Sequence, residues 1–250
     1  MYKGVQDTVL YLKNLEALTA DIPRSGLELF IIPSYTALES ASGAVCHENI
    51  MIGAQNMHWE EKGAYTGEIS PLMLKELKLD LVMIGHSERR HVFRETDVEE
   101  NKKVISALEH GFVALLCIGE TREEKEFLLT EEVLRRQLLT GLHGVRKKDV
   151  SRLRIAYEPV WSIGESGVPA SPEYAKEQHS RIKKCLCDLF GEQGLEIPVL
   201  YGGSVNRENA LKLIRQPSVD GLFIGRTAWN ADDFNALIRE VLAVWRESRD

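Results

Sequence analysis

The sequence predicts a parallel α/β fold, and three observations carry that prediction. Short apolar runs alternate with longer amphipathic stretches along the whole chain. The apolar runs are rich in Leu and β-branched residues and alternate only weakly between apolar and polar, the pattern of strands buried on both faces. The chain has 250 residues, close to the length of about 250 residues of a barrel built from eight strand–helix units.

In chain order, a helix is expected over about 6–20, with no strand before it. Strands are expected at 27–32 (LELFII), 50–55 (IMIGAQ), 81–85 (LVMIG), 112–118 (FVALLCI), 153–158 (LRIAYE), 197–201 (IPVLY) and 219–224 (VDGLFI). Between and after them, amphipathic periodicity predicts helices at about 71–78, 97–109, 129–141, 172–189, 206–215 and 231–247, with a further short one after Tyr35. Asp97, Ser171 and Asn206 are N-cap candidates, Pro172 suits a first helical turn, and Gly111 suits a position just past a helix end. No composition shift or Ser/Gly-rich linker divides the chain, so residues 1–250 read as one domain. This gives eight helices but only seven strands, and the shortfall lies at the N-terminus. Two exposed parallel edges are costly. Either the natural chain begins before Met1, or this chain folds poorly and turns over slowly.

Composition excludes several functions. A net charge of −7 argues against nucleic acid or an anionic membrane as the main partner. No apolar run approaches the roughly 20 residues of a membrane span, and no secretory signal opens the chain. Cys46, Cys117, Cys185 and Cys187 show no zinc-type spacing and read as reduced cytoplasmic thiols.

In parallel α/β folds the chemistry lies beyond the carboxyl ends of the strands. Here those ends are Pro33, Gln55-Asn56, His86, Gly119-Glu120, Glu158, Tyr201-Gly202-Gly203 and Gly225-Arg226. None is a lysine, which argues against Schiff-base chemistry. The pair His86 and Glu158 is a poor metal set, because such a site wants two or more convergent ligands. A base with one hydrogen-bond donor is instead the minimum set for moving a proton beside a carbonyl. Neither metal nor cofactor is expected. YGGSVN (201–206) and IGRTAWN (224–230) lead towards helices, and two glycine-rich turns on adjoining strands suit a phosphate, with Ser204 and Arg226 adding a hydroxyl and a cation. EPVWSIGESGVPAS (158–171) has the rigid start, small middle and Pro-Ala end of a lid that excludes water.

GAQNMHWEEKGAYTGE (53–68), IGHSERR (84–90), LLCIGE (115–120), AYEPVWSIG (156–164), YGGSVN (201–206) and DGLFIGR (220–226) resemble, in order, the motifs of the triosephosphate isomerase family. The resemblance implies a single-domain (β/α)8 TIM barrel, strand 1 apparently truncated, that interconverts sugar phosphates through an enediol. It implies Glu158 as base and His86 as a neutral electrophile at a helix N-terminus. It further implies Gly164 as the lid amide, Ser204, Gly202, Gly203 and Gly225 as phosphate contacts, Glu88 as a supporting carboxylate and Cys117 as a thiol packed near the site. Residues 56–68 are similar to a loop that enters a partner subunit, with Thr66 reaching the other site and Trp59 and Tyr65 buried in a homodimer interface.

Three departures from the family pattern stand out. The strand-1 lysine is missing, and Lys3, the nearest candidate, is displaced towards the first helix. Glu165-Ser166-Gly167-Val168-Pro169 replaces the usual Thr-Gly-Lys of the lid, and Gly225-Arg226 replaces Gly-Gly. With MHW (57–59) and GEISPLMLK (67–75), the last two are similar to a branch that isomerises erythrulose phosphate. The expected reaction is therefore L-erythrulose 1-phosphate to D-erythrulose 4-phosphate. The alternatives are the triose phosphates, or a sugar-phosphate-binding barrel with little activity. His47, His58, His91, His110, His143 and His179 read as surface or helix-face residues, Arg89-Arg90-His91 as ion-pair partners between helices, and 122–126, Arg135-Arg136 and Lys147-Lys148 as solvated faces.

Overall fold

The computed structural model describes residues 2–164 and 167–248. Seven parallel strands form one sheet in sequence order: β1 (Phe30–Ile31), β2 (Met51–Ala54), β3 (Leu81–Ile84), β4 (Val113–Ile118), β5 (Leu153–Tyr157), β6 (Val199–Tyr201) and β7 (Gly221–Leu222). The ladder is longest in the middle, where β4 pairs with β5 from Ala114↔Leu153 to Ile118↔Tyr157. Side chains alternate across the wall. Leu81, Leu115, Cys117, Ala156 and Leu200 fill its inside with Phe30, Met51, Met83 and Phe223. Ala114, Leu116, Ile118, Ile155, Tyr157, Val199 and Tyr201 point outwards to the helices.

The helices are α1 (Val5–Leu18), α2 (Leu38–Ser42), α3 (Pro71–Glu76), α4 (Ser87–His91), α5 (Asp97–Glu109), α6 (Arg122–Glu126), α7 (Thr130–Gly141), α8 (Pro172–Phe190), α9 (Arg207–Ile214) and α10 (Ala231–Glu247). The one-turn helices α4 and α6 were not expected. Each follows a strand end directly and is too short to show periodicity. Ser171 and Asn206 cap α8 and α9 as expected, and Gly111 adopts φ +87° beyond α5. At α5 the cap is Thr96, not Asp97: Thr96 and Glu99 form a reciprocal capping box. That frees Asp97 for ion pairs with Arg90 and Arg136.

β1 and β7 are much shorter than the apolar runs that contain them, because each has a partner on one side only. Between them runs a seam. Inside the wall, Phe30 and Phe223 bridge it with ring centroids 6.0 Å apart. Behind it α1 packs on the chain leading into α10, and the Tyr11 hydroxyl donates to the Ala228 carbonyl at 2.7 Å. Two cavities of about 320 and 360 Å³ follow the seam, and Phe30, Leu222 and Phe234 line both.

Four histidines depart from the surface reading. His47 pairs with Asp80 at 2.6 Å, and His110 lies 3.1 Å from Glu61. His58 is buried between the Trp59 and Tyr65 rings, both centroids 4.1 Å away. His179 is fully buried between Tyr157 and Tyr201, its Nδ1 3.2 Å from the Ser218 carbonyl oxygen. The polar flanks of α8 hide this, because His179 lies on the stripe that faces the sheet. His91 and His143 are exposed.

Burial pushes the His179 pKa down to about 3. The unfolded chain therefore binds a proton that the folded one refuses, and stability falls as pH drops below the ordinary histidine value of about 6.5 towards 3. Between about pH 7 and pH 5, wild-type protein should lose about 2 kcal/mol more than His179→Gln. Urea unfolding of both proteins at the two pH values measures this difference, and parallel losses would refute it.

Candidate active site

The carboxyl end of β3 continues as Gly85-His86. Gly85 takes φ +73°, and a side chain there would strike the Glu100 carboxyl at 2.8 Å. Arg90 fixes this turn: its guanidinium donates to the carbonyls of Gly85 and Cys117, each at 2.8 Å, and pairs with Asp97 and the buried Glu100. Arg89 pairs with Glu95, which also takes Lys103. Arg90 thus makes the expected ion pairs between neighbouring helices, while Arg89 pairs within the connection between them.

His86 is the N-cap of α4. Its Nδ1 accepts from the Glu88 N–H at 3.3 Å, which leaves Nε2 to carry the proton. Nε2 lies 3.3 Å from Glu158 Oε1, at the end of β5, and the Ser87 N–H donates to Glu158 Oε2 at 3.3 Å. Burial opposes charge on His86, but the charge and hydrogen bond of Glu158, helped by Glu88, outweigh it and raise the pKa. The Glu158 side chain is buried. Cys117, inside the wall, lies beside it, and burial first and the Glu158 charge second push its thiol up. Glu88 lies further off: its side chain is 73% exposed and 3.8 Å from His86 Nδ1.

After Glu158 the chain makes a tight turn over 160–162. Glu120, at the end of β4, anchors it. This fully buried carboxylate accepts from Trp161 Nε1 and the Tyr174 hydroxyl, both at 2.8 Å, and from the Tyr157 hydroxyl at 3.0 Å. The Lys125 ammonium sits 3.4 Å above the Trp161 ring. Strand-end position singled out Glu120, but its three donors come from β5, the lid and α8 and left no local signal. The departure at Glu165-Ser166 lies outside the described residues.

The two glycine-rich loops meet this lid. A side chain at Gly203 would strike the Tyr201 hydroxyl at 2.3 Å and Ser162 Oγ at 2.5 Å. The Ser204 N–H donates to the Ser162 carbonyl at 3.1 Å and to Ser162 Oγ at 3.0 Å. Ser204 therefore offers a ligand its hydroxyl rather than its amide. Thr227 ties the loop after β7 to the loop after β6 through the Val205 carbonyl at 2.6 Å. Arg226 reaches the segment after β5, donating to the Gly164 carbonyl at 2.7 Å. The 320 Å³ cavity at the upper seam opens beside this group and is lined by His86, Gln55, Ser34, Gly225 and Lys3. Lys3 is indeed displaced towards α1, with its ammonium 5.0 Å above the Tyr11 ring. Among the described residues no group of three or more His, Cys, Asp or Glu is placed to hold a metal ion, and no helix is long and apolar enough to cross a membrane.

A sequence profile described as triosephosphate isomerase matches residues 1–241. The chain belongs to the triosephosphate isomerase family. The triosephosphate isomerase of Bartonella henselae superposes with a TM-score of 0.85 at 36% identity, over 98% of this chain and 96% of that one. Among proteins of the family with assigned activities, the L-erythrulose-1-phosphate isomerase of Rhizobium etli is 44% identical over 97% of this chain and 90% of its own length. That of Rhizobium meliloti is 41% identical over 96% and 93%. The open sheet described above is thus a TIM-barrel wall, and the protein is an isomerase by family.

Two glycines separate the placement of Glu158 from the integrity of the fold. A Cβ at Gly202 would meet Glu158 Cγ at 2.8 Å, whereas one at Gly119 would meet the Glu158 carbonyl oxygen at 1.9 Å. The first displaces a side chain, the second the backbone. Gly202→Ala should lower turnover about 100-fold with little change in the urea midpoint. Gly119→Ala should cost about 3 kcal/mol or more of stability. Steady-state kinetics and urea melts on both variants check the contrast.

Proposed function

We propose that this chain converts L-erythrulose 1-phosphate to D-erythrulose 4-phosphate by proton transfer through an enediol. One observation carries the mechanism: a buried carboxylate, Glu158, lies 3.3 Å from the Nε2 of a histidine whose Nδ1 is engaged by a helix N-terminus. The relatives named above support the choice of substrate.

The substrate carries its carbonyl at C2, beside the phosphate-bearing C1, and a proton and a hydroxyl at C3. Glu158 removes the C3 proton, and the electron pair moves to form the C2–C3 double bond. The charge that develops on the C2 oxygen is met by the proton on His86 Nε2. Glu158 then returns its proton to C2 while the C3 hydroxyl loses its own, leaving the carbonyl at C3. Numbered from the other end, the product is the 4-phosphate. Oxidation at C3 balances reduction at C2, so the reaction needs no external electron acceptor.

The phosphate is gripped by the Ser204 hydroxyl, the backbone of Gly202, Gly203 and Gly225, the lid at Gly164 and the charge of Arg226. Glu88 supports α4 and the His86 tautomer through its backbone, and Cys117 seals the dry side of Glu158. A phosphorylated substrate, which does not diffuse through a bilayer, supports a cytoplasmic location.

The assembly is a homodimer through residues 56–68. In support, residues 61–68 are all exposed, and Tyr65 is 44% exposed even though it and Trp59 fold back onto His58. Val92 and Phe93 offer further uncovered apolar surface.

Glu158→Gln should lower kcat by roughly 10³-fold with a modest change in KM. Wild-type kcat/KM should be at least about tenfold higher on the tetrulose phosphate than on glyceraldehyde 3-phosphate. Coupled assays on both substrates decide, and a preference for the triose would overturn the choice of substrate. In sedimentation velocity the wild type should run as a dimer and Tyr65→Asp as a monomer.

A further inference from the structure

Glu120 is a fully buried carboxylate whose described hydrogen bonds come from uncharged groups: the Trp161 indole and the hydroxyls of Tyr157 and Tyr174. Neutral donors satisfy its oxygens but do not balance its charge. Lys125, five residues further on, feels that charge. Thr121 and Glu124 form a reciprocal capping box that starts α6 directly after Glu120, and this turn of helix carries Lys125 back over the group. The Lys125 ammonium lies 3.4 Å from the Trp161 ring centroid and 4.4 Å from that of Tyr174. The two rings meet edge to face, with centroids 5.6 Å apart. Each ring therefore turns its face to the ammonium and its polar edge to the carboxylate, so that the aromatic pair is held between opposite charges.

A cation on the face of a ring draws electron density towards itself and makes the N–H or O–H at the edge a better donor. Burial lowers the Lys125 pKa and the Glu120 charge raises it, with burial prevailing, so the ammonium gives up hydration to sit on the rings. We propose that Lys125 is a positioning residue that locks Trp161 and Tyr174 onto Glu120, and so holds Glu158, which lies between Tyr157 and Trp161 in sequence, in register with His86. The inference rests on the isomerase reading above and adds a residue that acts on the base through two aromatic rings. An arginine stacks on the same faces and keeps the charge, whereas a methionine fills the space without it.

Lys125→Arg, Lys125→Met, Trp161→Phe and the double variant Lys125→Met/Trp161→Phe are compared with wild type in steady-state kinetics and urea melts. Lys125→Met should lower kcat about fivefold, the worth of one partly exposed cation–π contact, with little change in KM or in the urea midpoint. Lys125→Arg should keep kcat close to the wild-type value. In the Trp161→Phe background, where the indole N–H is gone, Lys125→Met should lower kcat only about twofold. Fluorescence reads the same contact without turnover. The Trp161 signal, taken as the difference between each protein and its Trp161→Phe counterpart, should be quenched by acrylamide more strongly in Lys125→Met than in wild type. Wild-type kcat and quenching in Lys125→Met, equal losses of kcat in both Trp161 backgrounds, or a failure of arginine to restore kcat would each overturn the role. A loss confined to the urea midpoint would likewise reduce Lys125 to a structural contact. A wild type that does not isomerise the tetrulose phosphate would instead refute the isomerase reading, and the quenching series would still decide whether Lys125 holds Trp161.

Discussion

A carboxylate withdrawn from water must be met by donors, and this requirement organises the catalytic face of the molecule. Three carboxylates are buried beneath the strand ends: Glu100 behind Gly85, Glu120 at the end of β4 and Glu158 at the end of β5. Glu100 forms an ion pair with Arg90 but accepts no hydrogen bond from the described residues, and Arg90 also takes the carbonyls of Gly85 and Cys117 and so pins β3 to β4. Glu120 collects two tyrosine hydroxyls and an indole. Glu158 is met by the first turn of α4 and by His86. Each acid fixes a different neighbour, and together they set the distance between His86 and Glu158.

Glu158 and the turn that follows it share this support. Tyr157 immediately precedes Glu158 and donates to Glu120, while Trp161, three residues past Glu158, donates to the same acid. Glu158 is therefore bracketed in sequence by two ligands of one buried charge. His179 and Tyr201 form the next layer, stacking on one another and on Tyr157. A chain of aromatic contacts thus runs from the residue before Glu158 to α8 and to the end of β6.

The legible parts of this fold were those whose cause is local. Seven apolar runs mark seven strands, because a parallel strand covered on both faces has nowhere to place polar residues. His86 and Glu158 stood out because each ends such a run. Other parts were not legible. The cap of α5 is Thr96 rather than Asp97, because Thr96 finds its partner in Glu99 and leaves Asp97 to Arg90. His179 looks like a surface residue beside the charged flanks of α8, and only tertiary packing reveals its place between two tyrosines. The ends of β1 and β7 follow from missing neighbours rather than from composition, so no local pattern records them.

The seam carries a consequence for how firmly the two halves of the site are held. A strand paired on both sides opens only when the sheet opens, whereas an edge strand frays by itself. His86, Cys117 and Glu158 stand on or directly after β3, β4 and β5, each flanked by two ladders. Gly225 and Arg226 follow β7, which has one. Backbone amides should therefore exchange with solvent in a graded order, slowest beneath His86 and Glu158 and fastest beneath Gly225 and Arg226. On the proposed reaction, acid–base geometry then rests on the most cooperative strands and anion capture on the softest.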